Sequence, residues 1–149
     1  MEKQEALVVV SHGSKRKESN QEFEDFIGKL RQINSESKKS EEFGSISLFN
    51  DQVDLTDLSG SYAEIRGACL EFASPQLETV VEDLLKQGYR KSSIMPLFVF
   101  AGYHVRQDIP ERMADLKKSS AELEYKILEH PAAADNFAYY IFKGALSQK

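Results

Sequence analysis

Ala6-Leu7-Val8-Val9-Val10-Ser11-His12-Gly13-Ser14 is the stretch that decides the fold. Its first five residues are a continuous, mostly β-branched apolar run, as expected of a strand buried on both faces. The run stops at Ser11-His12-Gly13-Ser14. A helix is expected next, with Phe23, Phe26, Ile27, Leu30 and Ile33 at helical spacing on one face. Strand, short polar loop and amphipathic helix together form the first half of a β-α-β unit.

The same alternation continues beyond residue 61. Tyr62 to Leu70 reads as a second strand, with Ile65, Ala68 and Leu70 as its apolar positions. Ser74-Pro75 then gives a helix start, Ser74 as cap and Pro75 at the first helical position, where no donor is needed. Leu77, Val80, Val81, Leu84 and Leu85 form that helix's inner face, and Gly88 ends it. Ser92 to Phe100 (SSIMPLFVF) is expected as a third strand, with Pro96 marking an irregularity in its ladder. A helix beginning near Asp108, with Pro110 in its first turn, buries Met113 and Leu116. Leu123, Tyr125 and Ile127 alternate as a fourth strand. A last helix from about Asp135 is expected to bury Phe137, Tyr140, Ile141 and Leu146.

This order predicts an α/β fold: a four-stranded parallel sheet of order 2-1-3-4, with right-handed crossovers and helices on both faces. The chain has 149 residues, 41% hydrophobic and 29% charged, which fits one domain over 1–149. The stretch from about Asn34 to Ser61 departs from the pattern. It is rich in Ser, Glu, Lys and Asp, and reads as a long, partly disordered polar insertion with a short strand at Ser45 to Phe49.

Several function classes are disfavoured by composition. A net charge of −5 argues against nucleic acid as a general partner. No apolar run is long enough to cross a bilayer, and no signal-peptide pattern is visible, so a cytoplasmic location is expected. The single cysteine, Cys69, excludes an internal disulfide and a cysteine-rich metal site, and reads as a small buried hydrophobe. Ser11 to Ser14 lacks the glycines and lysine of a phosphate loop, and neither serine lies in G-x-S-x-G. No nucleotide is therefore expected, although a flavodoxin-like phosphate binder remains a further reading of such a sheet.

In open sheets of this kind, ligands bind beyond the carboxyl ends of the strands where the winding reverses. That point falls between strands 1 and 3. His12 ends strand 1 and His104 lies just past strand 3, and these are two of only three histidines. Converging imidazoles suit a borderline divalent metal and can accept protons near neutral pH. A histidine bonded to loop backbone is the bland alternative for each, and His130 reads as structural or peripheral. Glu71, after strand 2, is either a catalytic carboxylate of the same crevice, placed to help deprotonate a substrate or hold a metal, or an exposed glutamate on the approach to a helix. Phe98, Phe100 and Tyr103 offer a flat apolar wall, although aromatic residues of a buried strand such as Phe98 and Phe100 are usually core, which leaves Tyr103 as the favoured site residue.

At these residues the sequence resembles the small class II chelatases: the short sirohydrochlorin cobaltochelatase (CbiX-like) type and its ferrochelatase and nickel chelatase relatives. The matching pieces are Leu7 to Ser14, Leu70-Glu71-Phe72-Ala73-Ser74-Pro75, and Met95 to Val105 running on to Asp108-Ile109-Pro110. Ser74 stands where many members carry a glutamate. The segment Glu129-His130-Pro131-Ala132 lacks their Pro-hydrophobe-Gly ending.

The resemblance implies ATP-independent insertion of Co²⁺, Fe²⁺ or Ni²⁺ into sirohydrochlorin, as in cobalamin or siroheme synthesis, by a homodimer. It implies that His12 and His104 hold the incoming metal and that His12 also accepts protons. Val99, Phe100, Ala101, Gly102, Tyr103 and His104 would line the tetrapyrrole pocket, joined by Ser11, Gly13, Ser14 and Ser74. Lys15, Arg16, Lys17 and Arg106 would meet the carboxylates of the macrocycle's rim, helped by the N-terminus of the first helix. The alternative is a non-catalytic metal or tetrapyrrole binding protein of the same fold.

Overall fold

The first apolar run forms strand β1 (Glu5–Ser11), and it pairs in parallel on both sides. Its neighbours are β4 (Glu64–Cys69) and β5 (Lys91–Pro96), with β6 (Glu124–Ile127) parallel to β5 at the far edge. This computed structural model describes residues 4–38, 45–48, 51–54, 58 and 60–149. The sheet order β4-β1-β5-β6 is the 2-1-3-4 order expected from the alternation.

The lack of a polar position within Val8-Val9-Val10 has a direct cause. Ala6, Val8 and Val10 face one core, shared with Ile94 of β5 and with helices α2 (Leu77–Lys86) and α3 (Ile109–Ser119). Val9 faces the opposite core, with Ile65 of β4 and Ile27 of helix α1 (Lys17–Ser37). α1 lies close enough to β4 that a Cβ on Gly67 would come within 3.0 Å of Ile27 Cγ1 and the Phe23 ring. Glycine at this strand position serves close packing.

Several boundaries differ from the sequence reading. β4 is shorter than Tyr62 to Leu70. β5 ends at Pro96, and Leu97 N–H makes one last bond to the Val10 carbonyl (2.8 Å) before the chain leaves the sheet. The residues expected to finish that strand, Leu97 to Phe100, are loop, since proline cannot donate to a continuing ladder. Ser74 does not cap α2. The Ser74–Pro75 peptide is cis, the Pro75 carbonyl accepts the Cys69 N–H at 2.8 Å, and Gln76 is extended before the helix begins at Leu77. Those residues extend the edge beside β4 instead of opening the helix.

α1 runs on to Ser37, into the stretch read as insertion. β2 (Ser45–Leu48) pairs antiparallel with β3 (Asp51–Asp54), Ile46 opposite Val53, as a separate two-stranded sheet. The expectation of disorder at 39–44, 49–50, 55–57 and 59 lies outside the described residues.

The largest departure is the last helix, α4 (Asp135–Ser147), which has no buried residue. Tyr139, Tyr140, Ile141, Phe142 and Leu146 are each more than half exposed, and Phe137 is only half-buried. Its apolar face was expected to lie on the sheet. Instead an apolar groove of about 460 Å³ opens between α4 and the loop after β5, lined by Phe100, Ala132, Phe137, Ile141, Phe142 and Ala145 among others. Phe26 of α1, also expected inward, is exposed. No helix among the described residues is long and apolar enough to cross a membrane.

Candidate metal and macrocycle site

β1 and β5 lie side by side, so the loops at their carboxyl ends meet. His12 leaves the end of β1, and His104 follows the β5 loop as the first residue of a single π-type turn, His104–Asp108, leading into α3. In that turn the Ile109 N–H bonds back to the His104 carbonyl, five residues away, as in π-bulges found at functional sites. The two imidazoles come together, with ring centroids 4.8 Å apart and planes inclined at 57°.

Each histidine has its own carboxylate. Glu71 Oε2 lies 3.3 Å from His12 Nε2, and Asp108 Oδ2 lies 2.9 Å from His104 Nδ1. His12 and Glu71 are open to solvent (39% and 50% of the side chain exposed), whereas His104 and Asp108 are more enclosed, at 24% and 19%. Glu71 thus lies in the crevice rather than apart from it.

Gly13 explains how Glu71 arrives there. Its φ is +88°, and a Cβ at this position would sit 2.0 Å from the Glu71 carbonyl oxygen. Only glycine both adopts that backbone and leaves room for the loop after β4. The Glu71 N–H then bonds the His12 carbonyl at 2.8 Å, locking the two loops together. Next in that loop, Phe72 has φ +60°, uncommon for a bulky residue. Its exposed ring meets His12 edge-on at 5.3 Å, and Lys15 Nζ lies 5.1 Å from its centre.

Other aromatic rings surround His104. Phe98 stacks on it at 5.7 Å and Tyr103 meets it edge-on at 5.5 Å. Val99, Phe100 and Tyr103 are exposed, so the β5 loop presents an apolar rim beside the histidine pair. Ala101 and Gly102 belong to the same loop, and Arg106 turns back so that its Nε donates to the Ala101 carbonyl at 3.2 Å.

Some of the expected site residues are engaged locally. Ser14 builds a turn: its Oγ accepts the Arg16 N–H (3.0 Å), and its own N–H and carbonyl bond the Asn20 side chain (3.0 and 2.8 Å). Ser11 Oγ lies 3.7 Å from the buried Cys69 thiol. Ser74 is exposed in the loop after Glu71. Lys17 and Arg16 open α1 on its solvent side, Arg16 as the N-cap residue. His130 begins the short 3-10 turn after β6. Among the described residues no group of three or more His, Cys, Asp or Glu is arranged to hold a metal. The closest grouping of metal-ligating side chain types in the crevice is the imidazole pair, with Glu71 adjoining His12 and Asp108 adjoining His104.

Sequence reasoning gave no role to Asp108 or Arg112. Arg112 lies one turn beyond Asp108 and donates to both Glu78 oxygens, from Nε to Oε1 and from Nη2 to Oε2 (2.8 Å). It also donates to the Leu70 carbonyl (3.1 Å) and Gln76 Oε1 (3.3 Å), and its Nη1 lies 3.7 Å from Asp108 Oδ2. The hydrogen bonds from Arg112 hold the Glu78 carboxyl below its ordinary pKa, against the opposing effect of burial. The signal for these residues was the spacing of four from His104 to Asp108 and again to Arg112, which places neighbours on one helical face.

Comparisons with known proteins bear on the chain's family and fold. The model of the family described as CbiX matches residues 37–144, a span that includes Glu71 and His104 and leaves out β1 with His12. The chloroplastic sirohydrochlorin ferrochelatase of Arabidopsis thaliana is 25% identical over 123 residues, covering 83% of this chain and 43% of that protein. The chain thus spans less than half the length of this curated relative. A protein named for cobalamin (vitamin B12) biosynthesis, CbiX, from Marinobacter aquaeolei VT8 superposes with a TM-score of 0.65 at 21% identity, over 97% of this chain and 99% of that one. The sirohydrochlorin chelatase SirB from Bacillus subtilis subspecies spizizenii, solved in complex with cobalt, gives 0.62 at 21% identity, over 85% of this chain and 43% of that one. At these identities the two structures establish the shared fold.

Proposed function

This chain belongs to the CbiX family, and on that premise we propose that its crevice inserts a divalent metal ion, Co²⁺, Fe²⁺ or Ni²⁺, into sirohydrochlorin without ATP. The observation that carries the proposal is the pairing of His12 and His104, 4.8 Å apart, on loops from adjacent parallel strands. The names of the relatives support the substrate: one is a sirohydrochlorin ferrochelatase and another a sirohydrochlorin chelatase solved with cobalt.

Insertion requires removing water from the ion, removing two pyrrole protons, and presenting the ion to a ring that can pucker. Two imidazoles replace part of the hydration shell and leave positions open for pyrrole nitrogens. A site of so few protein donors can also release the ion, which a thiolate cage would not. His12 is the proposed proton acceptor once the ion has left it for the ring. It is the more open of the pair, Glu71 at 3.3 Å provides a counter-charge to an imidazolium, and its exposure lets each of the two protons pass on to solvent in turn. His104, enclosed and fixed by Asp108, serves as ligand. Phe72, Val99, Phe100 and Tyr103 supply apolar surface for the macrocycle, and Lys15 and Arg106 offer charge to its carboxylates.

The proposed working form is a homodimer. The apolar face of α4 is exposed next to Phe100, and surfaces of this kind mark association sites. The matching SirB and ferrochelatase chains are more than twice as long as the part this chain covers, which leaves room for a second lobe there.

Replacing His12 or His104 with alanine tests the chelatase reading. Each folded variant is expected to lose about 10²-fold or more in the rate of metal insertion. A wild-type rate in either variant contradicts the mechanism.

A further inference from the structure

The geometry points to Asp108 and Arg112 as positioning residues that fix His104 as a ligand and tie it to the loop bearing Glu71. This rests on the reading of His104 as a metal ligand. An ionised carboxylate can only accept, so at 2.9 Å from Asp108 a neutral His104 carries its proton on Nδ1. The lone pair is then on Nε2, the nitrogen left for a metal. A histidine whose second nitrogen is held by a carboxylate has its tautomer and ring orientation set in advance. The π-type turn contributes by placing His104 and Asp108 in one tight segment, ahead of the regular helix.

Arg112 extends the arrangement across the site. One planar guanidinium reaches Asp108, the carboxylate of Glu78 at the start of α2, the side chain of Gln76 and the carbonyl of Leu70. Leu70 immediately precedes Glu71, which faces His12. The same cation therefore holds the backing of His104 and the loop that delivers the second carboxylate. A lysine has no planar fork with which to serve these acceptors together. A purely structural clasp between α2 and α3 would need the Glu78 pair alone. The bonds to Leu70 and the approach to Asp108 both lead to the histidine pair.

The test uses Co²⁺ alone, followed by the absorbance of the bound ion, together with ¹⁵N NMR of the His104 ring in the metal-free protein. The Asp108→Ala variant is expected to bind Co²⁺ about tenfold or more weakly and to shift His104 away from the Nδ1–H tautomer that the carboxylate holds, toward Nε2–H. Asp108→Asn, which keeps an acceptor oxygen, is expected to restore part of both. Arg112→Lys, acting through Asp108 rather than on the ligand itself, is expected to weaken Co²⁺ binding several-fold, less than the roughly tenfold or larger loss for a partner bonded to the ligand. Arg66→Met, which breaks the guanidinium pair with Asp83 outside the site, provides the stability control and is expected to leave Co²⁺ binding as in the wild type. If His104→Ala loses Co²⁺ while the Asp108→Ala and Arg112→Lys variants bind it normally with His104 unchanged, this assignment is overturned and the chelatase reading stands. If His104→Ala itself binds Co²⁺ normally, both are overturned.

Discussion

His12 and His104 are separated by more than ninety residues in sequence, yet their ring centroids lie 4.8 Å apart. Parallel pairing of β1 with β5, Val10 opposite Pro96, creates that proximity. Both strands end at the same level of the sheet, so the residues that follow them share one crevice. The pair is thus a product of topology, and its surroundings are set by a few backbone features that can be changed one at a time.

Gly13→Ala is the most severe of these changes. The new Cβ would meet the Glu71 carbonyl at 2.0 Å, and φ of +88° would be strained for alanine. A loss of about 2 kcal/mol or more in unfolding free energy is expected in urea titrations, since strain of this kind alone costs 1–3 kcal/mol. Insertion activity should fall as well, because relief of the clash moves Glu71 away from His12. Unchanged stability would contradict the close approach.

Phe72 poses the opposite trade. Its φ of +60° is costly for a bulky residue and free for glycine. Phe72→Gly is expected to leave unfolding free energy unchanged or raise it by up to about 1 kcal/mol, while raising KM for the tetrapyrrole. Steady-state kinetics and urea titration together check the two halves. A loss of stability with unchanged KM would place Phe72 in the packing rather than the site.

The Glu78–Arg112 pair gives stability a defined pH dependence. The folded-state pKa of Glu78 is lowered, so its contribution is fully present above the ordinary glutamate pKa, about 4.3, and is lost as pH falls through the folded value. The gap in Tm between the wild type and Glu78→Gln is therefore expected to be constant above that pH and to close below it. A gap that persists unchanged into stronger acid would count against this pairing.

Ile141→Glu with Phe142→Glu addresses the exposed face of α4. Sedimentation is expected to show a dimer for the wild type and a monomer for the double variant, with little change in monomer stability because neither side chain is buried. A wild type that is monomeric at all concentrations would remove the proposed second copy.

Much of the fold was legible because the apolar runs in β1 and β5 have one simple reading, strands covered on both faces. The histidine pair followed from sheet order alone. The α4 result was not legible, since an apolar helix face looks the same in sequence whether it meets its own sheet or is left exposed. Pro96 signalled irregularity, but whether it bends a strand or ends one depends on what the next residues pack against. Ser74-Pro75 carried a helix-start pattern that pairing of the adjacent residues with Cys69 overrode. Asp108 and Arg112 were visible only as spacing, because an i, i+4 carboxylate and guanidinium are ordinary on any exposed helix.

Anaerobic incubation of catalytic amounts of the purified protein with sirohydrochlorin and Co²⁺ or Fe²⁺, without ATP and followed by absorbance, tests the chelatase proposal most directly. The metallated product is expected to accumulate well beyond the amount of protein, faster than the uncatalysed reaction. A spectral change that stops at stoichiometry with the protein would contradict catalysis and leave a carrier of metal or tetrapyrrole in its place.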